Sequence, residues 1–143
     1  MNLCHQDKLY KISENQDITI YKNNEWKTYT ILKRIGHLET QTYCVLNYIK
    51  VLDDQTDVFE SNFLNKDSHI KQLDGFVALR ILRPKHPDNY YLIITLWESE
   101  AHFKMWCQSK QYQDSYRNTN ILSQKQYNVI DPDISYRIKF NIA

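Results

Sequence analysis

Three observations place this chain in the α+β class, with a ferredoxin-like βαββαβ order behind an N-terminal β-rich extension. Four runs rich in β-branched, aromatic or alternating apolar residues read as strands from about residue 42 onward. Apolar residues recur at helical spacing between the first and second of these runs, and again between the third and fourth. A length of 143 residues suits one domain with a modest appendage and is long enough to bury a real core. The division expected is an extension over 1–41 and a ferredoxin-fold domain over 42–143.

The elements follow in chain order. Short alternating apolar runs from Leu9 to Leu32 flank a polar "KNNE", which reads as a hairpin turn. The segment "TYCVLNYIKVL", Thr42 to Leu52, reads as a strand with Asn47 in its middle. Phe59, Phe63, Ile70 and Leu73 then mark a helix lying on the sheet, with Gly75 as its stop. "FVALRILRP" and "NYYLIITLW" follow as antiparallel strands, separated by the loop "KHPD". A second helix begins near Ser99, a good N-cap. After an irregular stretch around 118–132, "DISYRIKFNI" alternates with Ile134, Tyr136, Ile138, Phe140 and Ile142 on one face.

The run "YYLIITLW", Tyr90 to Trp97, is apolar on both faces, yet two helices cover only one side of a four-stranded sheet. A second copy of the chain, the N-terminal segment or a ligand must cover the other side. A homodimer formed through sheet faces is the expectation, with the N-terminal hairpin extending or flanking one sheet.

Composition excludes several functions. The formal net charge of +1, from 18 basic and 17 acidic residues, gives no footprint for nucleic acid or an anionic membrane. The "GFV" in "DGFVALRIL" follows an acidic residue and sits on the second strand of the domain, which disfavours an RNA-recognition reading of this topology. The longest apolar run is less than half of a membrane span, and the N-terminus has no apolar signal region. Cys4, Cys44 and Cys107 are odd in number and lack CxxC spacing, so the cytoplasm is the expected compartment. With Gly36 and Gly75 as the only glycines, a P-loop and a Rossmann fingerprint are both absent.

The stretch "LWESEAHFKMWCQSKQYQDSY", Leu96 to Tyr116, concentrates aromatic residues in an otherwise polar chain. On an ideal helix, at about 100° per residue, Met105, Tyr112 and Tyr116 share a stripe, with Trp106 near its edge. Such a stripe usually faces the protein's own core, and that reading applies first to Met105 and Tyr112. Trp106 and Tyr116, large residues with polar handles, fit either the core or a flat guest. The five histidines show no ligand-like pairing.

The run from "YTILKRIGHLETQTYCVLNYIKV" through "GFVALRILRP", "YYLIITLWESEAHFKMWCQSKQY" and the last strand resembles the antibiotic-biosynthesis-monooxygenase-like superfamily. Within it, the chain is most similar to heme-degrading monooxygenases of the IsdG type, and to longer bacillar members with an N-terminal extension. The resemblance covers about residues 29–143, and W-E-S-E-x-x-F-x-x-W-x-x-S is its most specific part. It implies a dimeric α+β barrel and oxidative opening of heme with release of iron. Heme serves there as substrate and cofactor together, with dioxygen, an external electron donor and a possible reductase partner. Carried over residue by residue, the resemblance makes Asn47 and Trp106 catalytic and puts Tyr116 at the iron; Trp106, Met105 and Tyr116 would together line a slot matched to a flat apolar guest such as heme.

The family's iron-ligating histidine falls on Tyr116. A phenolate is an anionic, hard donor that favours ferric iron, whereas a neutral imidazole supports the ferrous state. Tyrosine there implies ferric heme binding with turnover slowed or lost. Two other readings stay open: a non-catalytic regulatory relative similar to the signal-transduction protein TRAP, and a cofactor-independent oxygenase acting on a small aromatic molecule.

Overall fold

A computed structural model describes residues 2–5, 8–64, 70–88, 90–108 and 130–141. Its strands are β1 (Asn2–His5), β2 (Lys8–Glu14), β3 (Ile18–Lys22), β4 (Glu25–Gly36), β5 (Tyr43–Val51), β6 (Phe76–Pro84), β7 (Tyr90–Trp97) and β8 (Ile130–Asn141). Helix α1 (Thr56–Leu64) and a short 3-10 turn, Ile70–Gln72, connect β5 to β6, and α2 (Glu100–Cys107) follows β7. All eight strands belong to one sheet in the order β1-β2-β3-β4-β6-β7-β5-β8. The last four, β6-β7-β5-β8, form the antiparallel ferredoxin-like sheet that the sequence predicts.

The N-terminal extension contains more strands than the single hairpin expected. Asn23 and Asn24 turn the chain at positive φ of 53° and 64°, the conformation of a tight hairpin turn, so "KNNE" is the β3–β4 connection. A second hairpin, β2–β3, turns at "NQD", where Asn15 N–H donates to the Asp17 carbonyl. Strand β4 pairs with β3 at its start and with β6 along its remainder, which makes the sheet continuous. A bulge between Ile31 and Lys33 interrupts that ladder, a feature that raises local twist. Strand β1 passes close to β8 at the far end of the sheet order.

Alternation along β5 separates two cores. Tyr43, Val45, Ile49 and Val51 face the helices and pack with Phe59 of α1 and Phe103 and Trp106 of α2. Cys44, Leu46 and Tyr48 face the other way, among Leu82, Leu92, Ile94 and Leu96, and meet Tyr10, Ile12, Ile18, Ile20 and Tyr29 of the N-terminal strands. The second face of β7 therefore has its cover within the same chain. Of the three covers named from the sequence, the N-terminal segment fills the place; the homodimer was expected on account of that uncovered face.

Two ties fasten this cover. Arg80 on β6, only 1% exposed, donates from Nε to Glu14 Oε2 of β2 at 2.6 Å and from its two Nη atoms to the carbonyls of Ile35, Gly36 and Leu79. Every face of the guanidinium is thus occupied, the condition for burying a charge. The Arg80 hydrogen bond holds the Glu14 carboxyl below its ordinary range, and Arg34 adds to this while partial burial opposes it. At the other end, Lys85 Nζ bonds Asp17 Oδ2 at 2.6 Å. Among the described residues no helix is long and apolar enough to cross a membrane.

Candidate functional site

Helix α2 begins where the sequence places it. Ser99 caps it by accepting from His102 N–H at 3.3 Å, and its hydroxyl also meets His102 Nδ1 at 2.7 Å. Gly75, at φ +76°, lies under the His102 ring, where a Cβ would come within 2.2 Å of Cγ. Its carbonyl accepts from Glu98 N–H at 2.7 Å. Gly75 therefore seats the start of α2 against the start of β6, beyond the helix-stop role expected from the sequence.

This seating fixes which residues of α2 face inward. Phe103 and Trp106, one helical turn apart, are buried, and Trp106 is 7% exposed. Trp106 lies against Trp97 of β7 with centroids 5.0 Å apart, and Trp97 Nε1 donates to Thr95 Oγ1 at 3.1 Å. Met105 is 61% exposed, so the core reading of Met105 does not hold: the helix turns it toward solvent while Trp106 turns in. Tyr112 and Tyr116 lie outside the described residues, and α2 as described ends at Cys107 with Gln108 as its cap.

Asn47 occupies the same face of β5 as Val45 and Ile49, opposite Ile93 on β7 and Arg137 on β8. It is half-buried, and with Val45, Ile93, Thr95, Phe103, Trp106 and Arg137 it lines a recess of about 20 Å³ between β5 and α2. The Arg137 guanidinium carbon stands 5.5 Å from the centre of the Phe103 ring, a cation–π arrangement. The sequence thus brings an amide, a tryptophan and a guanidinium together from three elements. A recess of that size admits about one water molecule.

Arg137 and Thr95 had no place among the sequence-derived candidates. The alternation of β8 was legible through its apolar residues alone, and Arg137, which stands between them in sequence, lies over the ring of Phe103 on α2. The signal for Arg137 is its register opposite Asn47. No group of three or more His, Cys, Asp or Glu side chains among the described residues could hold a metal ion.

The fold and this site define a class of protein. The family model for the antibiotic biosynthesis monooxygenases, ABM, matches residues 42–118, and the chain belongs to that family. Among curated proteins it is similar to a heme-degrading monooxygenase of Listeria monocytogenes, with 24% identity over 104 residues covering 73% of this chain and 59% of that protein. It is also 28% identical over 61 residues, 43% of this chain and 58% of the relative, to a mycobilin-producing heme oxygenase of Mycobacterium tuberculosis. The matched stretch thus spans under two thirds of the length of either relative.

Among solved structures, a major regulator of staphylococcal pathogenesis superposes with a TM-score of 0.71 at 15% identity, covering 94% of this chain and 82% of that one. The heme-degrading enzyme LmHde of Listeria monocytogenes superposes at 0.69 and 15% identity, covering all of this chain and 84% of its own. The heme degrader MhuD of Mycobacterium tuberculosis, with two hemes bound in its active site, gives 0.54 at 19% identity over 71% of this chain and 95% of its own. At such identities these likenesses concern the fold.

Proposed function

We propose that the helix-side recess is a heme site of the monooxygenase type, with heme as the substrate. The observation that carries this reading is the convergence of Asn47 and Trp106, the two described residues that the family resemblance makes catalytic, on one recess. Their roles follow from chemistry: the Asn47 amide is a hydrogen-bond donor on the sheet wall, and the Trp106 indole is a flat wall on the helix. Arg137, beside them, is a cation suited to a carboxylate of the substrate. Tyr116 is proposed as the iron ligand; Met105, which α2 turns toward solvent, stands outside the recess. When bound, heme would supply the iron for dioxygen chemistry, with electrons from an external donor such as a reductase.

A porphyrin does not fit the recess as it stands, since small-molecule sites of that kind run to several hundred Å³. Binding requires α2 to draw back from β5 and β8. That tight packing favours a second reading, a non-catalytic regulatory protein in which Trp106 is core. We further propose that residues 1–41 act as a built-in cover that takes the place of a second copy on the sheet, so that the working unit is one chain.

The test is the ferric visible spectrum of the heme-loaded protein compared with that of Tyr116→His. Exchanging an anionic oxygen donor for a neutral nitrogen donor should change the spectrum and make the iron easier to reduce. Identical spectra would remove Tyr116 from the iron. Failure of the unsubstituted protein to take up heme would promote the regulatory reading.

A further inference from the structure

An aromatic-walled cavity lies on the opposite side of the sheet from Asn47 and Trp106. It measures about 320 Å³ and opens between the β3–β4 hairpin and the facing parts of β5, β7 and β8. That volume lies at the lower end of the range for small-molecule sites. Its walls include Tyr29, Tyr48, Tyr90 and Tyr136, and its charged lining residues are Lys22, Lys27, Glu25 and Asp88.

The tyrosines form a built surface. Tyr48 and Tyr136 stack with centroids 4.8 Å apart and planes 16° apart, and Tyr90 meets Tyr136 edge-on at 5.8 Å. Lys22 Nζ sits over both stacked rings, 4.1 Å from the centre of Tyr48 and 4.4 Å from that of Tyr136, and donates to the Tyr136 hydroxyl. The second cation, Lys27, bonds Asp88 at 3.1 Å, and Asp88 also accepts from Tyr90 N–H. The Tyr48 hydroxyl is buried and has no hydrogen-bond partner among the described residues. Burial holds the Tyr48 phenol well above its ordinary pKa, so this group is a neutral O–H donor at physiological pH.

We propose that this cavity is a binding site for a small planar aromatic carboxylate. The ring of the guest lies against the tyrosines in the edge or offset geometry that such pairs prefer, and its carboxylate takes the Lys22 ammonium and the unused hydroxyl of Tyr48. A cationic guest, the other occupant that aromatic walls attract, is disfavoured because Lys22 already holds the position over the ring faces. The carboxylate is selected by the local position of the Lys22 ammonium at the tyrosine rings, since Lys27 is paired with Asp88, and the ring by the four phenols. Tyr48 and Asn47 are neighbours on β5 and point to opposite faces, so this site does not depend on the heme reading.

The full chain is titrated calorimetrically with benzoate, 4-hydroxybenzoate and indole-3-carboxylate, with cyclohexanecarboxylate and benzyltrimethylammonium as non-aromatic and cationic controls. At least one aromatic acid should saturate at one per chain with Kd of about 1 mM or tighter, and both controls should bind at least about tenfold more weakly. Lys22→Met should weaken the aromatic acid by about tenfold or more, while Lys22→Arg, which keeps the charge, should stay within about threefold of the unsubstituted chain. Both variants are checked for an unchanged circular dichroism spectrum and melting temperature. The proposal is overturned if no aromatic acid binds at concentrations up to about 10 mM, if either control binds as tightly, or if Lys22→Met binds like the unsubstituted protein.

Discussion

At the scale of single residues, the recess beside α2 depends on two alternations that meet. Period two along β5 sends Asn47 toward the helices and Tyr48 away from them, and the helical turn of α2 sends Trp106 inward and Met105 outward. Asn47 was legible as the middle of a strand, "VLNYI", and was singled out as a site residue by the family resemblance. Met105 could not be placed reliably, since a stripe that includes residues beyond Cys107 averages over a helix longer than the one described. If Asn47 acts on bound heme, Asn47→Ala should leave heme affinity within a few-fold while lowering any turnover by about tenfold or more, as expected for a group used mainly after binding. Heme titration and product spectra measure the two effects separately. Equal losses of binding and of folding stability would mark Asn47 as a strand residue alone.

At the scale of elements, the order of strands and helices from residue 42 onward was legible because periodicity and turn residues agree there. Ser99 as N-cap and "KHPD" as a loop each have one local physical cause. The extension was read less completely. "SENQD" contains a turn signal, but it lies between polar-faced strands too short to announce themselves, so one hairpin was read where the structure has three consecutive antiparallel pairs, β1–β2, β2–β3 and β3–β4. Phe59, Phe63, Ile70 and Leu73 were read as one helix; α1 spans Thr56–Leu64, a separate 3-10 turn spans Ile70–Gln72, and 65–69 fall outside the described residues. Gly75 illustrates a composition signal with a specific cause, because only a residue without a side chain fits below His102 at φ +76°. Gly75→Ala should cost about 2 kcal/mol or more, combining left-handed strain with a clash at the seat of α2. Urea unfolding monitored by tryptophan fluorescence gives the value, and a change below about 0.5 kcal/mol would contradict this account of the seat.

At the scale of the whole molecule, the N-terminal strands turn a four-stranded half-covered sheet into an eight-stranded sheet with a core on each side. The sequence announced the need for a cover through the two-sided apolar run of β7, but not which of three candidates would supply it. Arg80 was the overlooked clue: a lone cation inside "FVALRIL" requires a buried acceptor, and Glu14 of the extension provides it. Because Glu14 has a folded pKa below its ordinary value of 4.5, it contributes stability that is present above that value and is lost as pH falls through the folded pKa. Glu14→Gln should therefore unfold at lower urea near neutrality than the unsubstituted chain, with the two midpoints converging as pH falls through the folded pKa of Glu14. A constant gap between the midpoints at all pH values would show that the carboxylate's charge plays no part in holding the cover.

One chain covers its own sheet with its N-terminal strands, and the heme site proposed on the helix side would then lie within that single chain. Sedimentation velocity of the protein mixed with ferric heme, followed at the Soret band, tests this most directly because it reports mass and occupancy in one boundary. The account predicts a shifted Soret absorbance that travels with protein of single-chain mass and saturates near one heme per chain. Soret absorbance that fails to sediment with the protein, with the spectrum of heme free in buffer, would contradict it.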